Sequence, residues 1–452
     1  MRTTSGGNVV TADPFALNTA RRTNFRWLIL ALIMLAGFVS YILRTNVSVI
    51  GEAMITDLGL SEIQFGAILS AFAVGYAIFQ FPGGIFGDKV GSRFALTAAA
   101  IGWGVLTVAI AMVPDSEAVS IGVIFWTLIV IRFLVGVTHA PLFPVTGGGV
   151  VSRWFPVGHW GLPNGLSSTG LTLGAAASAP LLVWLMARYG WRGSLLITAP
   201  IAFVFAVAWW YVVRVTPKEH PLVGAEELSL INAGRSPYHS EDEDKGSWKI
   251  VIRNREILLL TSSYFCMNYV FYIFFGWFFY FLVDVKGFAQ QEAGNLFAML
   301  WIIGAVGATA GGFTCDRLIG RFGSRWGPAI LAGSGLALSA VFLVAGAIAA
   351  DPYAAVILLC ICFGCNQLTE AAHWAAAITV AGKRAAAATG VMNTGGNIVG
   401  AVSGLLVPFT AEWIGWVAAI STGAVFAIIG ALLWLIIRSD RPMDDPRKQT
   451  LS

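Results

Sequence analysis

The sequence predicts an all-α integral membrane protein, with twelve transmembrane helices in two pseudo-symmetric bundles of six. Three observations carry this reading. Charged residues make up 12% of the 452 and hydrophobic residues 57%, with a mean hydropathy of +0.75. That charge is roughly half the ~25% of a soluble domain and cannot cover a water-facing surface. Apolar runs of about 20 residues, enough to cross a ~30 Å hydrocarbon core, recur along the whole chain. One polar loop, finally, is written twice, once in each half.

Residues 1–24 are polar and carry Arg21 and Arg22, so they read as a cytoplasmic tail. The apolar run that follows, 27–50, is long enough to span and stay, which argues against a cleaved signal peptide. Further spans lie at 62–86, 94–113, 120–143, 162–187 and 193–214, joined by short loops. Residues 215–255 are polar, contain "SEDEDK" and read as a solvated cytoplasmic linker. Six more spans follow, at 257–283, 292–315, 328–349, 353–379, 387–410 and 415–438. The chain thus divides into a tail (1–24), a bundle (25–214), the linker (215–255), a second bundle (256–438) and a tail (439–452).

Orientation follows from basic residues, which concentrate in cytoplasmic loops. Most of the 28 Lys and Arg fall on the side of the N-terminus, including Lys89, Arg93, Arg153, Arg317, Arg321, Arg325, Lys383 and Arg384. The opposite loops keep Arg188, Arg192 and Lys286 beside acids such as Asp57, Asp115 and Asp351. Both termini therefore read as cytoplasmic. Compactness and the lack of a glycosylation sequon in any outer loop point to a bacterial inner (plasma) membrane. In "CICFGC", Cys360 and Cys362 point about 200° apart on a helix, so the five cysteines read as small packing residues and no metal site is expected.

The repeated loop is "GGIFGDKVGSR" at 83–93, after the second span, and "GGFTCDRLIGRFGSR" at 311–325, after the eighth. A duplicated six-helix unit is the sequence mark of transporters whose halves rock about a central site. The first copy fits G-x-x-x-D-x-x-G-x-R through Gly84, Asp88, Gly91 and Arg93, and on these residues the chain resembles the major facilitator superfamily. The resemblance implies a cytoplasmic latch in which Asp88, Arg93, Asp316 and Arg325 break and re-form contacts.

A narrower resemblance is to the anion:cation symporter branch, whose members carry sugar acids and other organic anions. It rests on "YILRTNVSVI", "RFLVGVTHAPLFP" followed by "SRWFP", "YFCMNYVFYIFFGWFFYFLVDVKGF" and "ATGVMNTGGNIVG". It implies pocket roles for Tyr41, Tyr76 and Asn393, and substrate binding by Arg44. Two positions depart from the branch: Leu43 and His139 stand where its members carry acids that serve proton coupling. Proton symport is therefore not implied by the resemblance alone.

Five ionisable groups lie deep within predicted spans: Arg44, Arg132, His139, Glu370 and His373. At ~3 kcal/mol for each central charge, such groups face protein or a water-filled cavity. Arg44, with no acid beside it, suits an incoming carboxylate that a guanidinium grips bidentately. Arg132 is either a direct anion contact or half of a structural ion pair. His139 is either a neutral core histidine or the titrating group in place of the missing acid, its ordinary pKa of ~6.5 suiting a proton switch. Glu370 and His373, three apart in "QLTEAAHWAA", are close enough on a helix to touch. Glu370 either balances an arginine across the halves or carries the coupling proton. Thr369 and Trp374 in the same stretch are further substrate-binding candidates, and Gln80, Asn268, Tyr272 and Asn397 are weaker polar ones.

With both histidines neutral, two arginines and one glutamate leave the interior at a charge that favours a monoanion. The expected function is a secondary transporter importing a small organic anion, such as a sugar acid, together with a proton. The alternatives are an exporter or exchanger without proton coupling, and a non-transporting sensor on the same scaffold. No HExxH, GxSxG or P-loop is present, which excludes the corresponding hydrolases and ATP-driven pumps. No cofactor and no nucleic-acid partner are expected, and the chain reads as a monomer in the lipid bilayer.

Overall fold

A computed structural model describes residues 23–233 and 249–443. Among these, nine helices are long and apolar enough to cross a membrane, and three of them are bent into two spans apiece. The twelve spans are α1 (Phe25–Val49), α2 (Glu62–Val90), α3 (Ser92–Ala111), α4 (Ile121–His139, continued to 154), α5 (161–189) and α6 (191–212) in the first half. The second half holds α7 (Arg255–Tyr280), α8 (290–322), α9 (324–348), α10 (Pro352–Leu368 with Glu370–Ala381), α11 (Ala385–Ile414) and α12 (Trp416–Ile436). Large apolar side chains such as Trp126, Val204, Ile348, Trp413 and Leu435 stand exposed on the outer surface, as lipid contact requires. The fold is that of an integral membrane protein.

The repeated loop earns its glycines in the backbone. Gly91 turns α2 into α3 at φ +81°, and Gly323 turns α8 into α9 at φ +78°, a region where a Cβ is strained. Both precede Ser-Arg, so the two halves make the same turn from the same residues. The membrane end that carries these turns is called the motif end below.

The structure departs from the sequence expectation in three places. The fourth span runs about ten residues beyond its expected limit. After Pro141 and Pro144 the chain widens into a π-turn over Pro144–Val151 before closing at Trp154, because proline supplies no N–H to a tight helix. A Cβ on Gly148 in that turn would meet the Ala385 carbonyl at 2.6 Å, so the residue sits directly against α11. Secondly, a short helix, Gly51–Leu58, lies between α1 and α2 at the end opposite the motif end. Trp191 donates to its Asp57 at 3.0 Å, and Arg192 bridges Asp57 and Asp115. The Arg192 hydrogen bond, aided by that of Trp191, holds the Asp57 carboxyl below the usual carboxylate range.

Thirdly, the stretch expected to be a solvated linker is structured in part. Helix Ala225–Asn232 folds back on the first bundle, and its buried Glu227 caps α1. The carboxylate accepts from the backbone N–H groups of Phe25 (2.9 Å) and Arg26 (3.0 Å) and from the Thr23 hydroxyl (2.6 Å). A negative charge at a helix N-terminus meets unpaired N–H groups and the positive dipole end. "SEDEDK" itself and the two tails, residues 1–22 and 444–452, lie outside the described residues.

The hydrogen bonds that join the halves gather towards the motif end. Asp88 accepts from the Ala387 N–H at the start of α11 (2.9 Å). Its repeat partner Asp316 accepts from the Gly161 (2.7 Å) and Leu162 (3.0 Å) N–H groups at the start of α5. Each half therefore caps a helix of the other with the aspartate of its repeated loop. Deeper in, Thr169 meets Thr309 at 2.7 Å, and Asn393 donates to Gln80 at 2.8 Å.

Candidate functional site

Between the halves lies a narrow cavity. The first half contributes Tyr41, Arg44, Tyr76, Phe143 and Ser168 to its wall; the second contributes Tyr264, Tyr272, Glu370, Trp374 and Asn397, among others. The two sides differ in kind: a cation faces a carboxylate across rings and hydroxyls.

Arg44 is the cation. Its guanidinium carbon lies 4.6 Å from the Tyr76 ring centre, 5.0 Å from Phe72 and 5.1 Å from Tyr41, and one nitrogen reaches the Tyr41 hydroxyl at 3.4 Å. No ion pair recorded among the described residues includes it. Three electron-rich ring faces hold the charge in place without neutralising it, so its capacity to bind an anion is intact.

Glu370 is the carboxylate. One oxygen accepts from the Tyr264 hydroxyl (2.9 Å) and the Trp374 indole N–H (2.7 Å), both neutral donors of its own half. Of its two expected roles, that of balancing an arginine is not seen in this structure: it forms no ion pair among the described residues. The contact with His373 is absent too. His373 points away into the second half, with Nδ1 on the Thr369 carbonyl (3.0 Å), Nε2 on the Ser263 hydroxyl (3.0 Å) and its ring edge-on to Trp434. Three residues along a helix leave two side chains about 60° apart around the axis, so one can line the cavity while the other packs against the adjoining helices.

Thr369 is likewise turned away, buried with its hydroxyl on the Asn366 carbonyl. Asn393 bonds Gln80 across the halves and receives Asn397 at 3.2 Å; Asn397 stands in the wall instead and accepts from the Tyr272 hydroxyl at 2.8 Å. Arg132 and His139 lie on one helix face, as their spacing predicts, but neither reaches the wall. His139 stacks on Trp103 at 4.8 Å and donates Nδ1–H to the Val135 carbonyl. Arg132 rests against Phe72 at 4.9 Å, with no ion pair among those recorded. Phe72 thus contacts both Arg44 and Arg132.

The latch also differs from expectation. Arg93 does not meet Asp88; its Nε donates to the Trp210 carbonyl (2.8 Å) and its guanidinium covers the Trp210 ring, all within the first half. Arg325 lies over the neighbouring Trp326. The contacts between the halves belong to the two aspartates, because a backbone N–H at a helix start is a stronger and nearer partner than a flexible cation in water. Asp88→Asn keeps one acceptor and loses the charge, so it is expected to slow turnover by ~3- to 10-fold, from a helix-dipole term of ~1 kcal/mol. Equilibrium anion binding should change much less; a larger loss of binding than of turnover would reject the capping role.

Tyr264, Ser168 and Gln367 line the cavity and were not singled out from the sequence. A signal existed for the first: Tyr264, Asn268, Phe271, Tyr272 and Phe275 recur at helical spacing along one face of α7.

Two six-helix halves, meeting around a polar cavity and sealed at one end by reciprocal helix caps, define a membrane transporter that exposes its site by moving the halves against one another. The sequence pattern of the Major Facilitator Superfamily matches residues 33–365 and 318–451. The chain belongs to that family, and it is a transporter, not an enzyme. It is 30% identical to the probable sulfoacetate transporter SauU of Cupriavidus necator, over 91% of this chain and 92% of that one. Identity to the hexuronate transporter of Bacillus subtilis is 28%, over 92% and 94% of the two chains. Identity to the D-galactonate transporter of Escherichia coli is 27%, over 94% and 98%. Among solved structures, the proton:xylose symporter XylE bound to 6-bromo-6-deoxy-D-glucose shares the fold, with a TM-score of 0.73 at 13% identity over 94% of this chain and 99% of that one. The relatives named here are transporters of organic anions, most of them sugar acids.

Proposed function

We propose that this chain imports a small organic anion, a sugar acid or a related carboxylate or sulfonate, by alternating access and together with a proton. The motif end is cytoplasmic on this reading, since the basic residues concentrate there, and the membrane is the bacterial inner membrane. The observation that carries the proposal is Arg44: a cation at the cavity wall, held by three rings and paired with no acid among the described residues. An anion that enters gains a charge-assisted, bidentate contact without displacing a counter-ion. The hydroxyls of Tyr41, Tyr264 and Tyr272 and the amide of Asn397 suit the hydroxyl groups of a polyol acid. The sugar-acid specificities in the relatives' names support the same class.

For the proton, Glu370 is the better carrier than His139. It faces the cavity with only neutral donors, so protonating it removes a charge that no cation balances. His139 does not stand in the cavity wall and meets the Phe72 ring edge-on at 5.9 Å. Glu370→Gln should retain anion exchange between the two sides yet lose accumulation driven by a pH gradient. Equal uptake at about pH 6 and about pH 8 with the membrane potential clamped at zero would remove proton coupling from the proposal.

The substrate class is tested by thermal stabilisation of the purified protein against a panel of organic anions, with neutral sugars and organic cations as controls. Stabilisation by anions that disappears in Arg44→Gln is the expected result. Stabilisation by neutral or cationic compounds alone would overturn it.

A further inference from the structure

Arg132 poses a physical problem that the cavity does not explain. The residue is 2% exposed within a membrane-spanning helix, and Nε and Nη1 have no hydrogen-bond partner among the described residues. No recorded ion pair among the described residues includes it. The contact it does make is with the face of Phe72, 4.9 Å from the ring centre. A buried charge without a counter-charge is among the costliest arrangements a protein holds, and one ring face returns only part of that cost.

Phe72 connects this cation to the site. The same ring lies 5.0 Å from the Arg44 guanidinium carbon, so the two carbons are no more than about 10 Å apart and share one aromatic contact. The ring also stacks on Tyr76 and meets His139 edge-on. The backbone under it is fixed. A Cβ on Gly136 of α4 would stand 2.2 Å from the Phe72 carbonyl, and one on Gly75 of α2 would stand 2.3 Å from the Phe133 carbonyl. The backbones of α2 and α4 are thus in contact beside Phe72.

We propose that Phe72 is a movable partition between two cationic subsites, Arg44 in front and Arg132 behind, and that the preferred cargo is a dianion placing one acid group on each arginine. This rests on the anion-transport reading above and narrows it. The charge balance agrees: two arginines with a protonated Glu370 are neutralised by a dianion, so cargo and proton travel together. The second acid group would supply the partners that Arg132 Nε and Nη1 lack.

The experiment compares a six-carbon aldonic acid, with one carboxylate, and the matching aldaric acid, with two, as ligands of the full-length purified protein. The wild type should bind the aldarate at least about tenfold more tightly. Arg132→Gln should bring the ratio close to one. Phe72→Ala should tighten aldarate binding several-fold without a matching gain for the aldonate, since the energy of rotating the ring no longer opposes binding. Should Arg132→Gln fail to fold, Arg132→Met and Phe72→Ala carry the same comparison. Equal affinities in the wild type, or a ratio that survives loss of the Arg132 charge, would overturn the partition while leaving anion transport standing. Binding of both acids that persists in Arg44→Gln would overturn both readings.

Discussion

Replacing Arg44 with glutamine is expected to lower anion uptake by ~100-fold or more while leaving the fold intact. A charge-assisted bidentate contact is worth about 3 kcal/mol, and every 1.4 kcal/mol is tenfold in affinity. The fold should persist because the guanidinium has no recorded ion pair to orphan; its neighbours are the rings of Tyr41, Phe72 and Tyr76. Taking an unpaired charge out of a membrane span relieves desolvation, which offsets the lost ring contacts. Counterflow in proteoliposomes reads the first effect, and the melting temperature without ligand reads the second. Lysine at 44 should recover part of the uptake by supplying charge without the planar fork. Uptake near the wild-type rate in Arg44→Gln would refute the anion site as described.

The second large effect is expected where the halves touch at the motif end. A Cβ on Gly165 would lie 2.4 Å from the Ala308 carbonyl, and one on Gly312 would lie 2.7 Å from the Gly161 carbonyl and 2.9 Å from the Leu162 Cα. These are backbone atoms on the facing helix and cannot turn aside. Gly312→Leu should therefore hold α5 and α8 apart and pull the Gly161 and Leu162 N–H groups off Asp316. Overpacking of a tight contact costs about 1–3 kcal/mol or more, and here the cost falls on the state closed at this end. Net transport should drop by roughly the corresponding ~10- to 100-fold, while ligand binding from the motif side survives. Cys315 gives an internal reporter. It is fully buried beneath this contact, since a Cβ on Gly161 would meet its own Cβ at 2.7 Å. In Gly312→Leu it should react with thiol reagents that spare it in the wild type. Normal transport with an unreactive Cys315 would show that the glycine contact does not set closure.

The architecture was legible because each span is its own local signal. An apolar run of sufficient length must cross lipid as a helix, since no other unclosed structure satisfies its backbone there. Limits failed where tertiary contact sets them, as in the π-turn after Pro144 and the helix at Ala225–Asn232 that closes over α1 through Glu227. The site was legible in part. Buried charge singled out Arg44 and Glu370, and both stand in the cavity wall. The same rule also singled out Arg132, His139 and His373, which do not, because hydropathy registers depth in the membrane and not which way a helix face turns.

What the sequence determined by itself is the class: a twelve-span, twice-written membrane transporter with ionisable side chains in its interior. Those properties follow from composition and spacing, which act residue by residue. Pairing was decided by the tertiary structure alone. Asp88 and Asp316 cap helices of opposite halves and leave Arg93 and Arg325 to tryptophans of their own halves; Glu370 bonds Tyr264 and Trp374; and Phe72 contacts two arginines that the sequence sets far apart. A hydrogen bond depends on angstroms between atoms distant in the chain, and those distances exist only once the helices have chosen their rotations and packed.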